Sequence, residues 1–324
     1  MAIITVGLNP AIDRILECPN FHIGGHQPCR QIARLAAGKA ANVSRALAYL
    51  GVDSIATGFL GTREIDYFHE QLMAAGPGRI LCQFVEVVGE TRENVTILDP
   101  ERQAETHLRD QGFTVTSRAT DLMRAKLLRE IHSGDIVVFS GSLCAGASPD
   151  YLGQLIDVGL HAGGRIVVDS SGDALRQVLQ GKRQIWLLKP NLEELQTLLG
   201  REVPNTTAAV SNAARELLPQ AQMVLVSRGA EGAVLVGNPS GLTGHDDTPL
   251  TGQVFTKGIP IRTVGCGDYL VAGFLAELQA GHSREIALRW GLCAASARAF
   301  SCDQEGFDVA GVRTNLNAVA VSPA

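Results

Sequence analysis

Short runs rich in β-branched and aliphatic residues recur along the chain, at residues 3–6, 54–57, 135–139, 165–168, 185–188 and 223–226. Helical segments lie between several of them, at residues 40–50, 149–161, 192–199 and 207–218. Such alternation predicts an α/β fold with a mostly parallel central sheet covered by helices on both faces.

Two regions break the rhythm. Residues 12–35 contain no long helical pattern, and residues 81–88, 94–98 and 105–108 read as successive strands separated by the turn-prone Gly89-Glu90 and Asp99-Pro100-Glu101. Together, segments 12–35 and 81–110 predict a small sheet projecting from the main one, able to cover a ligand at the carboxyl ends of the parallel strands. An edge hairpin without a gating role fits the same residues. Residues 269–279 and 284–300, rich in Ala, Leu and Gly, predict helices packed closely over the sheet, and residues 241–249 read as a surface loop. No repeat or low-complexity linker marks a boundary, so residues 1–324 are read as one domain.

Composition narrows the partners. With 324 residues, 45% of them hydrophobic, the chain can bury a large core, and its 35 glycines suit many tight turns. A net charge of -5 without a long basic run argues against a nucleic-acid backbone or an anionic membrane and leaves small molecules. Seven cysteines without a C-x-x-C pair, an odd number that leaves at least one thiol over, suit a reducing cytoplasm. The first residues lack the basic start of a signal peptide, and no apolar run reaches the length of a membrane span.

The strongest chemical feature is Thr263-Val264-Gly265-Cys266-Gly267-Asp268, followed by a small and apolar run. Its two glycines let backbone N–H groups crowd an anion, and Asp268 at the mouth of the next helix is placed to take a proton from a hydroxyl beside that anion. A first-turn carboxylate that only stabilises its helix is the alternative. Gly38, Lys39 and Asn42 open the first long helix with donors and a close-approach turn, and Asp13 follows the first strand as an acceptor for hydroxyls. Lys189-Pro190-Asn191 follows a strand, with Glu194 one helical turn after Asn191, so that both Asn191 and Glu194 can face a hydrated magnesium ion and its phosphates. A Pro-started helix with a first-turn carboxylate explains them equally. Ser227-Arg228-Gly229-Ala230-Glu231-Gly232 links two predicted strands, as a phosphate-side turn or as a plain hairpin.

In this order the motifs resemble those of the PfkB, ribokinase-like carbohydrate kinases, especially the 1-phosphofructokinase and tagatose-6-phosphate kinase branch. The resemblance spans residues 2 to 312 and rests also on Asn9-Pro10-Ala11-Ile12-Asp13, Asn42-Val43-Ser44-Arg45, Thr91-Arg92, Ser140-Gly141-Ser142-Leu143 and Asp169-Ser170-Ser171-Gly172. It implies a ribokinase-like three-layer α/β/α sandwich with a small projecting β-sheet lid, ATP and Mg²⁺ as cofactors, and a homodimer through the lid. It also implies residue roles. Asp268 would be the catalytic base, with Val264, Gly265, Cys266 and Gly267 as the anion hole. Asp13, Gly38, Lys39 and Asn42 would hold the sugar, with Arg92, Ser140 and Ser142 on its phosphate. Lys189, Asn191, Glu194, Ser227, Gly229 and Gly232 would lie on the nucleotide side, Asn191 and Glu194 reaching the metal through water.

The chain departs from the branch at Cys266, where alanine is usual, at Ala37 and Ala40, where glycine is common, and at Cys144-Ala145 in place of a Pro-rich continuation. Near His26-Gln27-Pro28 it lacks the basic residue that 6-phosphate-using phosphofructokinases often carry. The function so implied is ATP-dependent phosphorylation of a ketohexose phosphate, fructose 1-phosphate first, with tagatose 6-phosphate and fructose 6-phosphate as alternatives. A sensor that has lost catalysis would be expected to lose Asp268, which is present, and a nicotinamide dehydrogenase would need an early G-x-G-x-x-G turn, which is absent.

Overall fold

The structure, a computed structural model, describes residues 1–181, 183–237, 248–255, 260–261, 264–301 and 309–324. Thr263, Cys302 and most of the predicted loop at residues 241–249 lie outside the described residues.

In chain order the first half comprises β1 (Ile3–Gly7), β2 (Ala11–Glu17), β3 (Arg30–Ala37), α1 (Lys39–Tyr49), β4 (Ser54–Gly61), α2 (Ile65–Ala75), β5 (Ile80–Val87), β6 (Arg92–Asp99), β7 (Ala104–Arg109), α3 (Ser117–Glu130), β8 (Ile136–Ser140) and α4 (Tyr151–His161). The second half comprises β9 (Arg165–Asp169), α5 (Gly172–Gln180), β10 (Ile185–Leu188), α6 (Leu192–Leu199), α7 (Thr207–Arg215), β11 (Ala221–Ser227), β12 (Ala233–Gly237), β13 (Leu250–Val254), α8 (Cys266–Gln279), α9 (Arg284–Ala299), α10 (Val309–Asn315) and β14 (Val319–Pro323).

Ten strands form the main sheet in the order β14-β13-β12-β11-β10-β9-β8-β1-β4-β5. From β5 to β11 neighbours run parallel, and β12 to β14 close the far edge antiparallel. Alternate residues of each strand enter opposite cores, as the two-residue period of a strand requires. On β8, Val137 and Phe139 pack with α3 to α7, whereas Ile136 and Val138 pack with α1, α8, α9 and α10. Both faces are therefore apolar, and the sandwich has three layers.

Helices α8 and α9 meet at backbone distance. A methyl group on Gly273 would lie 2.9 Å from Gly291 Cα, and one on Gly291 would lie 2.7 Å from the Leu270 carbonyl oxygen. The Ala- and Gly-rich composition of residues 269–300 has this physical cause: only small residues let the two helices lie so close over the sheet.

The small second sheet runs β3-β2-β6-β7. Its composition corrects one expectation. Residues 81–88, read as part of this sheet, form β5, which pairs in parallel with β4 from Ser54↔Ile80 to Gly61↔Val87 at the edge of the main sheet. The reason is α2, whose buried Phe68, Leu72 and Ala75 make one apolar stripe. A helix between two strands returns the chain parallel to the strand it left, giving a βαβ unit instead of a meander. A second difference concerns the cysteines: Cys18 and Cys29, at the two ends of the β2–β3 connection, form a disulfide.

Candidate active site

The carboxyl ends of β1, β8, β9, β10 and β11 converge on the first turns of α1 and α8. Asp169 closes the apolar strand β9 and is fully buried. It is held by two ammonium groups, with Lys39 Nζ donating to its Oδ1 at 3.0 Å and Lys189 Nζ at 3.3 Å from the same oxygen. Ser140 Oγ, at the end of β8, donates to Asp169 Oδ2 at 3.4 Å. Burial acts to raise the Asp169 pKa, but the charges of Lys189 and Lys39 outweigh it and hold the carboxyl below the usual range.

Asp268 sits in the first turn of α8, 4% exposed, and accepts a hydrogen bond from Asn42 Nδ2 at 2.8 Å. Burial and then the Asp169 charge push its pKa up to about 7, against the opposing pull of Lys39, Asn42 and Lys189. Two neighbouring carboxylates are thus driven apart: Asp169 stays ionised as the partner of the lysines, and Asp268 is poised to accept a proton near neutral pH.

Gly265 caps α8 in the left-handed region, φ 85°, where a side chain would be strained. A methyl group there would stand 3.7 Å from Asn42 Nδ2 and 3.9 Å from Asp268 Oδ2, so this glycine lies directly over the Asn42–Asp268 pair. One on Gly267 would lie 3.2 Å from Lys189 Nζ, placing that ammonium beside the helix start. The first-turn N–H groups of a helix have no carbonyl partner one turn back and carry the positive end of its dipole. With Lys189 and Lys39 they make this end of the sheet an anion site. Burial raises the Cys266 thiol above its ordinary pKa, which keeps it protonated in this turn.

At the start of α1, Gly38 caps the helix at φ 115°, and a methyl group on it would stand 3.2 Å from Pro10 Cα. The β3–α1 turn is thereby pressed against the Asn9-Pro10 loop. Arg92, the first residue of β6, donates from its guanidinium to the carbonyl oxygens of Asn9 at 3.0 Å and Pro10 at 3.2 Å. Burial, then the charge of Arg109, lowers its pKa. Asn9 Nδ2 in turn donates to Ser142 Oγ at 3.0 Å. Arg92 and Ser142 therefore share one loop, whereas Ser140 is turned inward to Asp169. Asp13, on β2, accepts from Asn94 Nδ2 at 2.9 Å.

On the opposite side, Asn191 and Glu194 form a capping box on α6: Asn191 Oδ1 accepts from the Glu194 N–H at 2.7 Å, and Glu194 Oε2 accepts from the Asn191 N–H at 2.8 Å. The Glu194 Oε1 oxygen lies 4.0 Å from Lys39 Nζ. Ser227 ends β11 and donates its N–H to the Pro190 carbonyl, so its turn lies beside Lys189. Gly229 has φ 61° with open space where a side chain would be. Gly232 differs: a methyl group there would lie 2.0 Å from the Gly252 carbonyl oxygen, so the β12–β13 packing alone requires glycine.

Sequence reasoning gave no role to Asp169 or Arg109. An aspartate directly after the apolar run Ile166-Val167-Val168 was the available signal for the first. Arg109 lies on the exposed strand β7, where sequence offers no reason to single it out; pairing of β6 with β7 sets it opposite Asn94 and brings it beside Arg92.

This chain and its architecture have known counterparts. Residues 3–302 match the model of the pfkB family carbohydrate kinases. The chain is 31% identical over 282 residues, 85% of either chain, to tagatose-6-phosphate kinase of Staphylococcus epidermidis. To 1-phosphofructokinase of Bacillus subtilis it is 31% identical over 299 residues, 92% of this chain and 93% of that one. Phosphofructokinase-2 of Escherichia coli, solved in complex with fructose-6-phosphate, superposes with a TM-score of 0.86 at 27% identity, covering 98% of each chain. That fold is shared with sugar-phosphorylating enzymes. The chain belongs to the pfkB family of carbohydrate kinases.

Proposed function

We propose that the protein transfers the γ-phosphoryl group of ATP to a ketohexose phosphate, with fructose 1-phosphate, giving fructose 1,6-bisphosphate, as the first substrate to test. The observation that carries this reading is Asp268, buried beside Asn42 with a pKa of about 7 at the mouth of an anion-holding helix. Asp268 takes the proton of the attacking hydroxyl while the new oxygen–phosphorus bond forms and the bond to ADP breaks. The first-turn N–H groups of Gly265, Cys266 and Gly267, with Lys189, hold the charge of the transferring group.

Lys39 spans the two halves of the site, from Asp169 to Glu194. Asp13, Gly38, Lys39 and Asn42 are assigned to the sugar. Arg92, with Arg109 beside it, is assigned to the phosphate the sugar already carries, to which a guanidinium offers several donors. Ser142 and the inward Ser140 support that end. Ser227 and Gly229 are assigned to the nucleotide side.

Among the described residues no three His, Cys, Asp or Glu side chains converge on one point. The site thus fits a magnesium ion held largely by phosphate oxygens and water, as this ion is commonly bound. Glu194 Oε1 is the carboxylate oxygen available to such a water. Asn191 spends its oxygen on the helix cap and keeps an NH₂ that suits a phosphate oxygen. When bound, the ion neutralises phosphate charge.

Tagatose 6-phosphate is the second candidate, favoured by the S. epidermidis relative, and fructose 6-phosphate the third. Use of ATP and sugar phosphates supports a cytoplasmic setting; no helix among the described residues is long and apolar enough to cross a membrane. A homodimer through the outer face of the small sheet is supported by the exposed Leu108 on β7 and by the tetrameric form known for the E. coli relative.

The test is ADP release with Mg-ATP and fructose 1-phosphate, fructose 6-phosphate, tagatose 6-phosphate, fructose or ribose, with Asp268→Asn as control. Turnover of one phosphorylated ketose, abolished in the control, is expected. ATP binding with no turnover of any would replace this reading with that of a sensor.

A further inference from the structure

Arg45 has no part in the roles above. It lies on α1 three residues after Asn42, 4% exposed, with NH1 donating to Asn42 Oδ1 at 3.1 Å and NH2 to the Ala36 carbonyl oxygen at 2.7 Å. Its Nε has no hydrogen-bond partner among the described residues. Burying a guanidinium against neutral oxygens, with one N–H unmet, is a costly way to stabilise a helix. Its geometry does something else. A guanidinium only donates, so the Asn42 oxygen must face Arg45, and the Asn42 NH₂ must then face Asp268. The same side chain ties the end of β3, which leads into the Gly38 turn, to α1.

We propose that Arg45 is a positioning residue for phosphoryl transfer: it touches no substrate, but by fixing the Asn42 amide in one orientation it aims a hydrogen-bond donor at Asp268 and sets the sugar-site turn against α1. Without Arg45 the amide can flip and present its oxygen to the carboxylate, which disfavours the ionised base. The inference rests on the reading of Asp268 as that base. The other charged groups acting on Asp268 are Asp169 after β9, Lys189 after β10 and Lys39 on α1. Arg298 on α9 lies over the neighbouring Tyr269 ring and also acts on Cys266. None of them touches the Asn42 oxygen, so changing Arg45 alone isolates the amide.

The experiment follows the ¹³C-carboxyl titration of Asp268 in ligand-free protein, assigned by its loss in Asp268→Asn, alongside kcat/KM against pH. Arg45→Met is expected to raise the Asp268 midpoint by about half to one pH unit and to lower kcat/KM about three- to tenfold below neutral pH. Arg45→Gln, which keeps an NH₂ for Asn42, is expected to restore most of both. In an Asn42→Ala background Arg45→Met is expected to add no further shift. An unmoved midpoint in Arg45→Met, or an equal shift with Asn42 removed, would overturn the proposal. If Arg45→Met does not fold, Arg45→Ala, which likewise removes the donor facing Asn42, takes its place with the same criteria. Because the titration needs no sugar, failure of the kinase reading and failure of the positioning role appear separately.

Discussion

Asp268, the proposed base, has a raised pKa because its charge is unwelcome where it sits. Burial and the ionised Asp169 hold its pKa near 7, while Asn42, Lys39 and Lys189 keep it from rising further. At saturating substrates kcat should therefore climb as pH rises towards 7 and level off above it, since only the ionised carboxylate accepts the hydroxyl proton. A kcat that does not change through this range would place the base elsewhere. The Thr263 to Asp268 run pointed to this carboxylate at the residue scale, but its pKa was not legible. That value depends on Asp169, about a hundred residues away in sequence and brought close only where the carboxyl end of β9 meets the first turn of α8. The alternative for Asn191 and Glu194, a Pro-started helix with a first-turn carboxylate, holds for Glu194 alone: Asn191, not Pro190, caps the helix, which starts at Leu192.

Among the elements, β1, β8, β9, β10 and β11 were readable because each is a short apolar run buried on both faces. α2 was not. Its buried Phe68, Leu72 and Ala75 are interspersed with other apolar residues such as Tyr67 and Met73 that blur the helical stripe, and without it β5 reads as part of the wrong sheet. The segment of β2 and β3 was placed in the small sheet without its separate strands, and β12 was implied by the turn at residues 227–232; β13 and β14 were missed, since strands towards a sheet edge leave weaker apolar signals. The α8–α9 contact was anticipated from composition and has a sharp requirement. Gly291→Leu should destabilise the protein by about 3 kcal/mol, because its side chain must enter space filled by the Leu270 backbone. Urea unfolding measures it, and a loss below about 1 kcal/mol would mean that the helices can part without cost. The Cys18–Cys29 bridge closes the β2–β3 connection of the small sheet, far from the Asp268 turn in the chain. Reductant, or Cys29→Ser, should lower stability by about 2–3 kcal/mol and leave kcat within about twofold. A parallel collapse of kcat would tie that connection to the chemistry.

For the whole molecule, one arrangement links stability to function. The three-layer fold forces Asp268 into a dry site against a second carboxylate. Its folded pKa lies above that of the unfolded chain, so the folded state binds the proton more tightly; this favours folding at low pH, and the advantage is lost as pH rises towards 7. Replacing the carboxylate with an uncharged isostere removes the penalty and the base together. The measurement that bears most directly on the role of Asp268 is the turnover of Asp268→Asn on the best sugar phosphate, with its thermal unfolding followed at pH 5 and pH 8. The expected result is a fall in kcat of about a thousandfold, with sugar-phosphate binding retained and a gain in stability larger at pH 8 than at pH 5. Turnover within about tenfold of the unaltered protein would show that Asp268 is not the base in phosphoryl transfer.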